Sequence, residues 1–240
     1  MRTQPPSAKL LCKPRRLRCA SGGFAYHVLN RAVGRGTLFD KSADYAAFEK
    51  VLRQAQDWQP MRLLAYCAMP NHWHLLLWPH ADGDLSEFMR WLTVTHTQRW
   101  HAHHHTSGTG PLYQGRFKSF PIEADEHLLT VCRYVERNPL RAGLVRQAQA
   151  WRWGSLWHRE HDSGEGLLSA GPVPLPEHWV KHVNRVQSQA ELEATRRSLQ
   201  RGCPFGAPAW QERTAKQLGL ESTLRPRGRP AKGKRKPSHN

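Results

Sequence analysis

The chain has 240 residues, with 36 Lys or Arg against 19 Asp or Glu, giving a net charge of +17. An excess of that size points to a polyanion, nucleic acid being the usual one, and ten Trp interleaved with the arginines offer stacking surfaces. No run approaches the roughly 18 apolar residues of a membrane span; residues 9–16 break too early for a signal peptide, so the expected location is the cytoplasm, with the nucleoid.

The five cysteines (Cys12, Cys19, Cys67, Cys132, Cys203) are odd in number and form no Cys-x-x-Cys pair. A disulfide framework and a zinc knuckle are both argued against. Hydrophobic residues make up 39% of the chain, enough for a packed core.

In chain order, residues 1–20 read as an irregular basic arm. Residues 24–31 alternate as a strand should, and 34–37 as a loop. Ser42 or Asp40 is placed to cap a helix to Trp58, with Tyr45, Phe48, Val51, Leu52 and Ala55 at helical spacing. Residues 61–69 and 71–78 form a second and third strand with a tight turn at Pro70-Asn71. A helix over 85–101, a strand over 116–122 and a helix capped by Asp125 through Arg137 complete the order β-α-β-β-α-β-α. That order predicts an α+β fold, a ferredoxin-like antiparallel sheet with helices on one face and the other face left open for a substrate. The catalytic domain is set at 21–145, followed by a helical extension over 146–224. Within it, the Trp-rich 151–157 reads as a packing segment, with helices at 177–183 and 189–200. The basic tail over 225–240 is expected to be disordered when free.

The chemistry concentrates in two places. On a strand, side chains at i and i+2 share a face, so His72 and His74 project together while Trp73, Leu75 and Leu77 point the other way. Two imidazoles one strand-step apart can hold one divalent cation. On the 125–137 helix, Leu128, Val131, Cys132 and Val135 share a side and Tyr134 borders it. Asn138 lies one turn on, about 40° around from Tyr134. Pro139 disfavours helical geometry at Asn138, so the helix is expected to end there and free the Asn amide oxygen for a metal. The His-rich stretch at 101–105 lies at a helix end without ordered spacing or an acidic partner, and it reads as a solvated helix terminus.

The His-Trp-His strand, Tyr-Val-Glu-Arg-Asn-Pro at 134–139 with Arg-Ala-Gly-Leu-Val after it, Tyr-His-Val-Leu-Asn-Arg at 26–31 and Gln-Gly-Arg-Phe-Lys at 114–118 together resemble the REP-associated tyrosine transposases. These are single-tyrosine HUH endonucleases. Residues 201–206 and 219–230 resemble that family's C-terminal region. The resemblance implies Tyr134 as nucleophile, with His72, His74 and Asn138 holding Mg²⁺ or Mn²⁺. It implies cleavage and rejoining of single-stranded or hairpin DNA, with no small-molecule substrate, through a 5′-phosphotyrosine and a free 3′-hydroxyl. A tyrosine is a weak nucleophile at neutral pH, so the metal and nearby cations must assist it. His27, Glu123 and Glu136 stand as unranked candidates for a general base.

Asn30, Arg31, Arg116 and Lys118 sit in family-like motifs and are candidates for DNA contact. In the tail, Arg227 and Arg229 belong to a Pro-Arg-Gly-Arg-Pro core that suits either an AT-hook or unspecific phosphate binding. The resemblance also implies a monomer with its tyrosine in cis, unlike insertion-sequence relatives that exchange tyrosine helices. Two alternatives stand beside this reading. One is a catalytically silent hairpin-binding protein of the same fold. The other, a phosphodiesterase using the histidines directly, is disfavoured because neither a repeated His-x-Thr motif nor a His-x-His-x-His run is present.

Overall fold

The computed structural model describes residues 20–161 and 166–225. Strands β1 (Ala25–Arg31), β2 (Arg62–Met69), β3 (His72–Trp78) and β4 (Lys118–Ile122) form one antiparallel sheet in the order β2-β3-β1-β4. Helices α1 (Ser42–Trp58), α2 (Asp84–His103) and α3 (Glu126–Glu136) alternate with them in the expected ferredoxin-like sequence. Pro70 and Asn71 make the two-residue turn between β2 and β3, which pairs Met69 with His72. The tight turn fixes the register, and the register fixes which face each histidine takes.

The pleat sorts the strands onto two cores. Tyr26, Val28, Trp73, Leu75 and Leu77 pack against Phe48, Leu52, Phe88 and Leu92 of α1 and α2. Ala25, Cys67, Leu76, Phe120 and Ile122 pack against Leu128, Val131, Cys132 and Val135 of α3. A β-bulge lies between Leu63 and Ala65. It turns both Leu64 and Ala65 to the α3 side. Helices therefore cover both faces of the sheet, where the sequence pattern had left one face open. The reason is already in α3: a helix with a buried apolar stripe needs a layer to bury it, and the sheet supplies one.

Beyond α3, the described residues contain α4 (Asn138–Arg141), α5 (Ser155–Glu160), α6 (Trp179–Asn184), α7 (Gln189–Arg201), α8 (Pro208–Gln217) and α9 (Glu221–Leu224). The extension covers both edges of the sheet. On the β2 edge, Ala68 N donates to Trp153 O at 2.9 Å and Ser169 N to Leu63 O at 2.8 Å. On the β4 edge, Phe205 N donates to Pro121 O and Glu123 N to Phe205 O, both at 2.9 Å. Edges closed in this way are no longer templates for pairing with other chains. Gly206 is required at this crossing, because a Cβ there would stand 2.6 Å from Glu123 Oε2 and from the Trp210 ring.

Cys67, Cys132 and Cys203 are buried free thiols, whereas Cys12 and Cys19 lie outside the described residues, as do Arg227 and Arg229. Among the described residues, no helix is long and apolar enough to cross a membrane.

The α1–α2 core contains a polar chain that gives the fold a pH dependence. Trp73 Nε1 donates to the Tyr113 hydroxyl at 3.0 Å, and that oxygen lies 2.6 Å from His96 Nδ1. Burial pushes the His96 imidazole down to about 4, with Asp44 opposing weakly. An unfolded histidine titrates near 6.5, so the unfolded chain binds the extra proton first as pH falls. The stability contributed by neutral His96 is present above about pH 6.5 and is lost as pH falls toward 4, on the order of 3 kcal/mol. Denaturant melts at pH 7 and pH 4 should show that drop, and His96→Gln should shrink it. An unchanged drop in the variant would assign the acid sensitivity elsewhere.

Candidate active site

β3 carries both predicted histidines onto the α3 side of the sheet. The His72 and His74 ring centroids are 5.0 Å apart and nearly perpendicular. His72 Nδ1 lies 2.6 Å from Asn71 Oδ1, and His74 Nδ1 lies 2.8 Å from His27 Nε2. Each contact fixes a ring and leaves Nε2 as the remaining nitrogen of both. Burial pushes His72 down to about 4, with Arg31 and Arg141 adding to it. Burial also lowers His74 well below the usual range, with His72 and His27 contributing. Both imidazoles are therefore neutral at physiological pH, the form in which histidine binds a metal.

α3 runs over this face and presents Tyr134 to it. Its ring meets His74 edge-on at 5.9 Å and His27 at 6.2 Å. Asp125 caps the helix, accepting from His127 N at 2.8 Å. Arg137 closes it, and Pro139 starts the separate turn α4 with Asn138. The break falls at Arg137, one residue before the expected Asn138, which is itself helical as the first residue of α4. The amide oxygen, however, is not free: Arg141 donates a short hydrogen bond to Asn138 Oδ1. A carbonyl oxygen has two lone pairs, so the contact occupies one acceptor position and leaves a second. Asn138 Nδ2 is buried without a hydrogen-bond partner, an orphaned polar group.

Arg141 is the residue the sequence reading missed. Its guanidinium carbon sits 4.2 Å over the Tyr134 ring while it holds Asn138. Its spacing from Asn138, three residues along a helical turn, was the available signal. Of the three base candidates, only His27 belongs to this cluster. It is fully buried, and burial pushes it down to about 3, so it acts as a neutral support for His74. Glu136 is bound by Ser155, Arg159 and Trp179, and Glu123 by Ala207 N at 2.7 Å.

The DNA-contact candidates divide by sheet face. Arg31 pairs with His72 across β1–β3, and Lys118 pairs with Leu29, itself opposite His74, so both share the histidines' face. Asn30 lies on the other face, buried, its Nδ2 donating to Gly115 O at 3.4 Å and its Oδ1 accepting from Arg31 N at 2.9 Å. Asn30 and the exposed Arg116 line a 550 Å³ cavity against α2, away from Tyr134.

Residues 21–138 match the family model described as "Transposase IS200 like". This domain belongs to the IS200-like transposase family. The transposase domain also superposes on solved structures. One is a REP-associated tyrosine transposase bound to a REP hairpin, with a TM-score of 0.50 and 23% identity over 65% of this chain and 90% of that one. Another is a protein from Deinococcus radiodurans R1 described as a transposase, with a TM-score of 0.37 and 19% identity over 51% of this chain and 95% of that one. The first similarity shows the fold. No curated protein matches the chain. Family membership places the protein among DNA-processing enzymes.

Proposed function

We propose that the protein is a metal-dependent single-stranded DNA endonuclease and strand transferase that acts on REP-like hairpins through a phosphotyrosine. The observation that carries this is the edge-on approach of Tyr134 to His74 at 5.9 Å, in one chain, with His72 against His74 and Asn138 held by the same Arg141 that lies over the Tyr134 ring. Hairpin DNA is the partner of the REP-associated relative, and the +17 charge of this chain suits the same kind of ligand.

The donor set of two neutral imidazoles and an amide oxygen fits Mg²⁺ or Mn²⁺, with Mn²⁺ held more tightly. Such an ion supplies polarisation of a non-bridging phosphate oxygen. The chain does the rest. His27 and Asn71 fix the rings of His74 and His72. Tyr134 supplies the attacking oxygen: its bond to phosphorus forms, the bond from phosphorus to the 3′-oxygen breaks, and the phenol proton ends on that departing oxygen. The covalent ester conserves the phosphodiester energy, so a second 3′-hydroxyl can reverse the step. Arg31 and Lys118 share the face on which the strand lies and offer cations to its phosphates.

Arg141 is placed to meet negative charge that develops on the phosphate, since it already lies against both Tyr134 and Asn138. Arg141→Gln should slow adduct formation about 100-fold in single-turnover assays and leave hairpin affinity within a few fold. An unchanged rate would confine Arg141 to holding α4.

Clamping of α3 by its own C-terminal extension supports a monomer acting in cis. Arg133 donates to Arg185 O at 2.8 Å and Val186 O at 3.1 Å, and Arg137 to Asn184 O at 3.0 Å. The direct test is incubation with a single-stranded hairpin and Mn²⁺, which should give a protein–DNA adduct that survives denaturation. Tight binding without any adduct, across several hairpins, would instead indicate a silent hairpin binder.

A further inference from the structure

The histidine stretch at the end of α2 plays no part in the transposase site, and the fold gives it the acidic partner its sequence neighbourhood lacks. Asp44, in the first turn of α1, is 6% exposed. Its Oδ2 accepts from Asp40 N at 2.9 Å and Lys41 N at 3.1 Å, which satisfies the helix start. Its Oδ1 lies 3.5 Å from His104 Nε2. That nitrogen is buried and has no hydrogen-bond partner.

The neighbouring geometry is that of a ligand set. The His104 ring is held by stacking on Trp100 at 4.2 Å, and the His103 ring stands 5.0 Å away at 87°. One ligand atom each from Asp44, His103 and His104 lies within 4.8 Å of the others. Two ligands of a tetrahedral zinc ion, each about 2.05 Å from it, are about 3.3 Å apart. The 3.5 Å between Asp44 Oδ1 and His104 Nε2 is close to that separation and long for a charge-assisted hydrogen bond. Lys50 and Arg99 also line this 390 Å³ cavity, and Arg99 is tied to Gln54 at 2.5 Å.

We propose that Asp44, His103 and His104 form a second metal site, separate from the transposase centre, which binds a zinc-type transition-metal ion. Two imidazoles and a carboxylate suit Zn²⁺, Ni²⁺ or Cu²⁺ better than Mg²⁺, and a fourth position stays open to water. The ion would clip the start of α1 to the end of α2. Because it binds only the folded chain, it raises the unfolding temperature.

The test uses the full chain without a histidine tag, titrated with Zn²⁺ and followed by calorimetry and thermal melting. His72→Ala/His74→Ala should keep one Zn²⁺ per chain and the zinc-dependent rise in melting temperature. Added to His72→Ala/His74→Ala, His103→Ala/His104→Ala should abolish zinc binding and that rise; alone, it should bind one ion fewer than the wild-type chain while still forming the DNA adduct with Mn²⁺. His104→Ala alone should weaken binding at least tenfold. A zinc response that survives in the variant lacking all four histidines, or none in His72→Ala/His74→Ala, would leave only a His104–Asp44 ion pair. Neither outcome bears on the phosphotyrosine chemistry.

Discussion

Tyr134→Phe should abolish the protein–DNA adduct, by at least about 10³-fold, with hairpin affinity within about twofold of the wild type. The substitution removes one oxygen and keeps the ring. That ring provides the packing: it is 5% exposed, lies edge-on to His74 and His27, and carries Arg141 over its face. Folding stability should therefore change by no more than about 1 kcal/mol. Loss of chemistry with binding and stability preserved separates a nucleophile from a structural tyrosine. Cleavage that persisted in the variant would move the nucleophile to another group, and equal loss of binding would make Tyr134 part of the DNA interface instead.

Glu136→Ala should be the most destabilising single change near the site. The carboxylate is fully buried on α3, two residues after Tyr134. Its Oε1 accepts from Ser155 Oγ at 2.6 Å and Arg159 Nε at 3.0 Å, and its Oε2 from Trp179 Nε1 at 2.6 Å. Truncation would strand the part-buried Arg159 cation and two buried donors, where breaking a buried pair costs about 3–5 kcal/mol. For a chain of this size that corresponds to a fall in melting temperature of roughly 10 °C. Glu136→Gln keeps one acceptor and should lose less. A loss under about 1 kcal/mol in Glu136→Ala would show that the extension does not hold the tyrosine helix through this group.

These two neighbours show what the sequence carries locally and what it does not. Alternation along β3 is enough to put His72 and His74 on one face, and helical spacing is enough to put Tyr134 and Asn138 a turn apart. Pro139 signals a break close to Asn138 for a local reason, although the break falls one residue earlier, at Arg137. Contacts set by the sheet order have no such signal: His27 reaches His74 only because β1 pairs with β3. Ser155, Arg159 and Trp179 converge on Glu136 from 19 to 43 residues away. Asp44 and His104 meet because α1 and α2 lie side by side on one face of the sheet. Helix α8 was not anticipated either. It buries only Thr214 and Ala215, so its pattern carries little apolar periodicity.

Arg141 marks the same boundary from the other side. Its spacing from Asn138 was readable, but its role depends on where Tyr134 points, which is a tertiary fact. The site therefore differs from the sequence expectation in one respect. The Asn138 amide oxygen, expected to be free, is already hydrogen-bonded to a cation of its own helical turn.

The central claim is that Tyr134 and the His72–His74 face act together on one phosphate. It is tested most directly by digesting the covalent complex formed with a single-stranded hairpin and Mn²⁺, then locating the nucleotide by mass spectrometry. The account predicts a 5′-phosphoryl nucleotide on Tyr134, absent when Mn²⁺ is withheld and absent in His72→Ala/His74→Ala. A nucleotide on any other residue, or an adduct at Tyr134 that forms equally well without the metal and both histidines, would contradict it.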